Sequence, residues 1–500
     1  MKLSLKRRLA ALSTTVSMST AVSMCTAVSM STAVSMLLLA GCGGQPVDET
    51  STTAAFEVLD PGIVERAETL REEALAGDGA YDFLRRLTTE VGPRFAGTDG
   101  DRRGVEWAKE ELERMGFANV RTEEVTVPRW RRGHAAGWIV APYPQDMVVV
   151  ALGGSVGTPD GGLEAEVVRV GSLEELTNLD RATVDGKIVF IDQRMSRSRD
   201  GSGYGATVGN RTRGAATAAL LGAQAVLVRS VGTSNDRLAH TGTMRYEDGG
   251  DRIPAAALSN PDADVLAQQL AGSEPVIFHL DLGCEDLGEA PSANVIGEIP
   301  GREKPEEIVV LAAHLDSWDL GTGAIDDGAG CAIVSEAARL LALAMPEGPR
   351  RTIRVLLTAN EEFGLSGALA YGEKYLYDMD SHVAAAESDL GAGPIYALRS
   401  RVSPEALPAV RDMQRLMEPL GIEYQGNEAR GGADLRPMRQ NRVPVFDLRQ
   451  DATLYFDYHH NANDTFDKVD PRELAQNVAA YAVFALVASE YEPGFGRGPE

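Results

Sequence analysis

From residue 292 onward, apolar runs of strand length alternate with segments of helical period, and this alternation constrains the fold more than any other feature of the chain. Residues 306–313, 351–359 and 382–388 read as strands. Helices are expected at 327–344 and 366–375 between them, and at 405–420 and 471–489 beyond. Strands that are apolar at nearly every position are buried on both faces, as in a parallel sheet covered by helices. The expectation is therefore an α/β fold built on a mixed, largely parallel sheet. Upstream, residues 81–125 carry two helices and a strand, the second helix aligning Val105, Ala108, Leu112 and Met115 on one face and stopping at Gly116. Between them the signals change: short strands at 147–152, 165–170, 187–191, 225–228, 253–258 and 276–282 are broken by glycine-rich turns, with helices at 212–221 and 261–270. This stretch reads as a β-rich inserted domain that roofs the site without supplying its chemistry.

The strand ends carry the chemistry. The first runs into His314, Leu315 and Asp316, and the acidic pair Asp326-Asp327 opens the helix that follows. The second runs into Asn360, Glu361 and Glu362, and the third into Glu387, Ser388 and Asp389. Ligands of open α/β sheets bind at the carboxyl ends of the strands, so three strands deliver imidazole or carboxylate groups to one rim. A polar loop near the C-terminus adds His459 and His460. Histidine with several carboxylates, each from a different loop, suits zinc or a similar divalent ion. Two ions about 3.5–4 Å apart would need a bridging carboxylate and would together polarise a carbonyl and activate water.

Charge and cysteine usage bound the remaining possibilities. The formal charge is −25 over 500 residues, which argues against a nucleic-acid partner. The short basic cluster Arg129, Arg131 and Arg132 beside Trp130 reads as local structure. Residues 1–42 begin with Lys2, Lys6, Arg7 and Arg8 and continue through four hexapeptide repeats of the STAVSM type to Leu37-Leu38-Leu39-Ala40-Gly41-Cys42. We read them as an export signal. Without those four cations the charge moves from −25 to −29. Of four cysteines, Cys25 and Cys42 fall in that segment, so Cys284 and Cys331 make no disulfide framework. The glycine-rich stretch 201–209 lacks the lysine and register of a phosphate loop. His134, His279 and His382 have no partners at metal spacing.

Beyond these readings, the segments HLDSWDLGTGAIDDGAG (314–330), ESD (387–389) and the double histidine followed by Asp464-Thr465 resemble peptidase family M28, the co-catalytic zinc exopeptidases, and within it the carboxypeptidase Q branch. VGPRFAGT, HTGTMRY and GGADL have counterparts there too. The resemblance runs from Tyr81 to the C-terminus. It implies a zinc exopeptidase-like fold and two zinc ions per chain, with Asp326 bridging, His314 as a ligand of one ion, Glu362 and Asp389 on opposite ions, and His460 completing the set. It makes Glu361 the general base, and Asp316 the partner of the other His314 nitrogen. His459 stands where several relatives have tyrosine, and its role is left open. His240, in AHTGTMRY, belongs either to the substrate pocket or to a dimer contact.

The same resemblance implies that 128–285 is a protease-associated-like domain between the catalytic parts 64–127 and 286–500, while 43–63, polar and without periodicity, reads as a flexible tether. The run from Leu37 to Cys42 resembles instead the lipobox of bacterial lipoproteins, which would make Cys42 the lipid-modified residue attaching an exported protein to the cell envelope; the family resemblance implies a homodimer. The activity implied is hydrolysis of dipeptides or short peptides. The alternatives are an aminopeptidase on longer peptides, a non-catalytic binding protein on the same scaffold, and a single-zinc acyltransferase such as glutaminyl cyclase.

Overall fold

A computed structural model describes residues 56–499; the segment 1–42 expected to be an export signal, Cys42 included, and residues 43–55 lie outside them. The folded body starts earlier than expected. The backbone N–H groups of Glu57, Val58 and Leu59 donate to the buried carboxylate of Asp412. A helix then runs over Pro61–Ala76, capped by Asp60, whose side chain accepts from Gly62 N. Residues 56–63 thus belong to the body and not to a tether. The pattern conceals this helix because few of its residues, Ala67, Leu70 and Ala74 among them, reach the core, while its outer face is rich in glutamate.

Strand β1 (Ala118–Arg131) begins the first sheet. The chain then leaves it for eight strands: β2 (Ala135–Ala141), β3 (Gln145–Met147), β4 (Val149–Ala151), β5 (Leu163–Val170), β6 (Ile188–Ile191), β7 (Ala225–Arg229), β8 (Ala255–Leu258) and β9 (Ile277–Leu282). It returns with β10 (Glu285–Ile299), β11 (Lys304–His314), β12 (Arg351–Thr358), β13 (His382–Glu387), β14 (Ile395–Arg401), β15 (Glu423–Tyr424) and β16 (Val445–Gln450). Among the described residues these form two eight-stranded sheets, ordered β1-β10-β12-β11-β13-β16-β14-β15 and β3-β2-β9-β5-β6-β7-β8-β4.

In the first sheet β12, β11, β13 and β16 run parallel, with β10 and β14 antiparallel at their flanks. Every residue of β12 is buried, as a strand covered on both faces requires. Helix Pro471–Glu490 is buried nearly all round, packing on helices Pro61–Ala76 and Ala329–Ala344.

The second sheet is α/β in character and not simply β-rich. Its strands β5 to β8 are parallel neighbours, and β6, β7 and β8 are buried at every position. Helices Ser202–Leu220 and Asn260–Leu270 accompany them. The first of these begins ten residues before the expected start at 212, because three glycines interrupt its early turns and mask the helical pattern.

The two sheets meet through residues of the HLDSWD segment. Trp318 stacks on Phe95, ring centroids 4.9 Å apart, and approaches Gly153 so closely that a Cβ there would lie 2.1 Å from the indole. Arg132 donates from Nε to both oxygens of Asp319 at 3.0 and 2.9 Å. The basic cluster is thus partly spent on this junction.

Candidate metal centre

Register places the strand ends together: His314 of β11 lies opposite Thr358 of β12, and Ala312 opposite Glu387 of β13. The segments that follow these strands leave the sheet on one rim. His314 Nδ1 donates to the backbone carbonyl of Asp316 at 3.0 Å. This fixes the tautomer and leaves Nε2 facing Asp326 Oδ1 at 3.1 Å and Asp389 Oδ1 at 3.5 Å.

The Asp316 carboxylate departs from expectation. It stands 3.6 Å from His314 Nδ1, beyond hydrogen-bond length. Instead it accepts from the backbone N–H groups of Glu361 at 2.9 Å and Glu362 at 3.3 Å. It therefore holds the turn that carries the two glutamates, while its own carbonyl orients the imidazole.

Asp326 lies in the irregular turn Ala324–Gly328, which precedes helix Ala329–Ala344. The helix starts two residues later than expected because Asp326 and Asp327 keep non-helical torsions. Asp327, fully buried, accepts from His314 N at 3.1 Å and from Gly330 N at 3.0 Å, tying strand end to helix start. Gly330 is required there, since a Cβ would sit 2.1 Å from the Ser388 carbonyl. Asp464, four residues after His460, accepts from Ile325 N at 2.6 Å. Beneath the site Cys331 is a buried thiol whose Sγ contacts the His314 carbonyl.

His460 has a positive φ of 64°, a left-handed conformation unusual for a non-glycine residue and often found where function holds it. Its Nε2 lies 2.8 Å from Glu362 Oε2 and 3.3 Å from Asp326 Oδ2. The segment between β7 and β8 holds it there. Thr241 N donates to the His460 carbonyl at 2.9 Å, His460 Nδ1 faces the Thr241 carbonyl at 3.3 Å, and His240 Nδ1 donates to the His459 carbonyl at 2.7 Å. His240 Nε2 accepts from Asn461 Nδ2 at 3.1 Å. His240 is fully buried, so it holds the His459–His460 loop rather than lining the cavity. His459 stacks on His460, centroids 3.5 Å apart, with Nε2 3.7 Å from Asp326 Oδ2.

The six residues His314, Asp326, Glu362, Asp389, His460 and Glu361 therefore gather around one cavity of about 360 Å³, which all but His314 line. Two sets of ligand atoms lie within 4.8 Å of one another: His314, Asp326 and Asp389 in one, Asp326, His459 and His460 in the other. Glu362 lies closer to His460, at 2.8 Å, than His459 lies to Asp326, at 3.7 Å, which favours Glu362 over His459 as the partner of Asp326 and His460. Burial pushes Glu361 and Glu362 well above the usual carboxylate range, and the charges of Asp389 and Asp326 respectively add to this. Burial acts on Asp326 in the same sense, but its contacts with His314 and His460 prevail and hold it well below that range.

Such a concentration of buried carboxylate is costly without positive charge. Asp326 Oδ2 and Glu362 Oε1 are buried without a hydrogen-bond donor. The donor set, imidazole and carboxylate on several elements, fits a divalent metal.

Two α/β sheets with this constellation at the strand ends define a class, and comparison identifies it: the chain belongs to peptidase family M28 and is a metallopeptidase of that family. Residues 294–485 match the description "Peptidase family M28". Carboxypeptidase Q of Mus musculus is 33% identical over 414 residues, 83% of this chain and 86% of its own. The crystal structure of a peptidase M28 precursor from Shewanella amazonensis superposes with a TM-score of 0.85 at 48% identity, covering 88% of this chain and 99% of that one. A zinc aminopeptidase from Bacillus subtilis shares the fold, with a TM-score of 0.59 at 19% identity over 81% of this chain and 94% of its own.

Residues of the second-sheet segment that line the cavity, Tyr204, Arg211, Thr243 and Arg245, escape sequence reasoning. Thr243 and Arg245 fall in the AHTGTMRY segment singled out above, whereas nothing marks Tyr204 and Arg211.

Proposed function

We propose that this chain is a dinuclear zinc exopeptidase that hydrolyses dipeptides or short peptides. His314 and Asp389 would hold one ion, Glu362 and His460 the other, and Asp326 would bridge them. The observation that carries this reading is the division of Asp326: Oδ1 faces His314 at 3.1 Å, while Oδ2 faces His460 at 3.3 Å. When bound, the ions supply Lewis-acid polarisation of the scissile carbonyl and lower the pKa of water.

The chain's own groups do the rest. Glu361 borders the cavity beside Glu362 and, as general base, takes a proton from the attacking water. As the new C–O bond forms and the C–N bond breaks, it delivers that proton to the departing amine nitrogen. Asp316 positions Glu361 through its backbone N–H. The carbonyls of Asp316 and Thr241 keep the Nε2 atoms of His314 and His460 turned inward.

A panel of dipeptides and tripeptides tests this, assayed as purified, after chelation and after zinc restoration. We expect loss with chelator and recovery with zinc. Hydrolysis insensitive to chelation would overturn the assignment.

A further inference from the structure

A second, smaller cavity of about 190 Å³ adjoins the catalytic one, and the two share Asp389 and Leu390 as a common wall. The end of β13, the strand β16 and the loop 430–432 enclose it. Pockets that hold a whole ligand run to about 300–1,000 Å³; this one is below that range and suits a single side chain.

Its charged groups are unevenly committed. Glu387 accepts from the backbone N–H groups of Ala433 and Leu435, both at 3.0 Å. Asp447 accepts from those of Arg430 at 3.1 Å and Gly431 at 2.6 Å, and Asp389 faces His314. The loop is thereby pinned at its backbone. Gly432 permits the close approach: its φ is +92°, and a Cβ would lie 2.4 Å from Glu387 Cδ. The two cations of the cavity are left over. Among the described residues no hydrogen bond or ion pair engages the Arg430 guanidinium, and that of Arg449 donates only to the Asp200 carbonyl, at 3.1 Å. Guanidinium groups in this condition favour a carboxylate, which they can grip through two parallel N–H···O bonds.

We propose, resting on the peptidase reading above, that this side cavity receives the acidic side chain of a substrate residue flanking the bond being cut, with Arg430 and Arg449 as its partners. An extended peptide sends successive side chains to opposite faces. A dipeptide lying across the metal centre therefore turns one side chain towards Asp389 and Leu390 and the other away, so the preference for glutamate falls on one of its two positions. The chain as a whole carries −25 and repels acidic peptides, but physiological salt screens exposed charges beyond about 8 Å. At the cavity the two guanidinium groups decide, because the carboxylates beside them are engaged by backbone N–H groups or turned to the metal centre.

The zinc-loaded enzyme tests this with two matched pairs of dipeptides, Glu-Ala against Gln-Ala and Ala-Glu against Ala-Gln, which differ in charge but hardly in shape. For the wild type we expect kcat/KM to favour the glutamate member by about 10-fold in one pair, mostly through KM. The ratio should fall to about one in the double variant Arg430→Gln, Arg449→Gln, and Arg430→Lys should keep part of it. Equal cleavage within both pairs by the wild type, or a preference for glutamine, would overturn the acidic specificity and leave the peptidase reading standing; this comparison needs no variant to fold. A glutamate preference that survives undiminished in the double variant would overturn the assignment to this cavity. Failure of the zinc-loaded wild type to cut any peptide would instead sink the peptidase reading, and this inference with it.

Discussion

Adjacent residues at the site do different work because the backbone sends them in different directions. Glu362 meets His460, Glu361 borders the cavity, and both depend on the Asp316 carboxylate for their backbone N–H groups. Asp316→Asn should therefore lower kcat by about 10-fold or more with little change in KM, read from steady-state kinetics; an unaltered kcat would refute the positioning role. Away from the site, His382 is fully buried, accepting from the Tyr371 hydroxyl at 2.8 Å, and burial depresses it from 6.5 to about 4. The unfolded chain then binds the proton first, so this group's contribution is complete above pH 6.5 and is lost as pH falls from 6.5 towards 4. The loss is about 3 kcal/mol. Asp101, raised to about 6 by burial, runs the other way, so only a difference measurement isolates His382. Urea unfolding of chelated wild type and His382→Gln at pH 7 and pH 4.5 should show their stability gap narrowing at the lower pH. A gap independent of pH would contradict this.

At the level of elements, the strand ends were the legible part of the site. Strands β11, β12 and β13 announce themselves by unbroken apolar runs, and a polar residue just past such a run stands out. Strands β14 and β16 do not, because Arg399, Arg401, Asp447 and Arg449 interrupt them near the sheet's margin. The loop carrying His460 is held by His240 and Thr241, some 219 residues away, and no local pattern encodes a pairing of that separation. Arg211 was hidden for a related reason, since its helix passes through glycines that blur the period. The hold predicts that His240→Ala weakens zinc binding by about 10–100-fold, measured by competition with a chromophoric chelator. Unchanged affinity would show that the loop keeps its shape unaided.

For the whole molecule, the second sheet is part of the working enzyme and not a detachable roof. It meets the first through Trp318 and the Arg132–Asp319 pair, its His240 and Thr241 hold the His459–His460 loop, and it supplies Arg211 to the cavity. Its role is concealed in the sequence because the residues in question are far from the strand ends that carry the histidine and carboxylates. Among the described residues no helix is long and apolar enough to cross a membrane, and the lipid attachment expected at Cys42 lies outside them. Ions that bind only the folded state stabilise it, by about 2.7 kcal/mol at a free concentration 100 times Kd. Chelation should therefore lower the thermal midpoint, and zinc should restore it; a midpoint indifferent to both would argue against a structural link between the metal and the two sheets. The central claim is that Glu361 moves the proton beside a metal centre that other residues hold. Its most direct test is turnover of Glu361→Gln at measured zinc content: we predict two zinc ions per chain, as in the wild type, with dipeptide hydrolysis reduced by about 10²–10⁴-fold, whereas near-normal turnover at full zinc loading would contradict it.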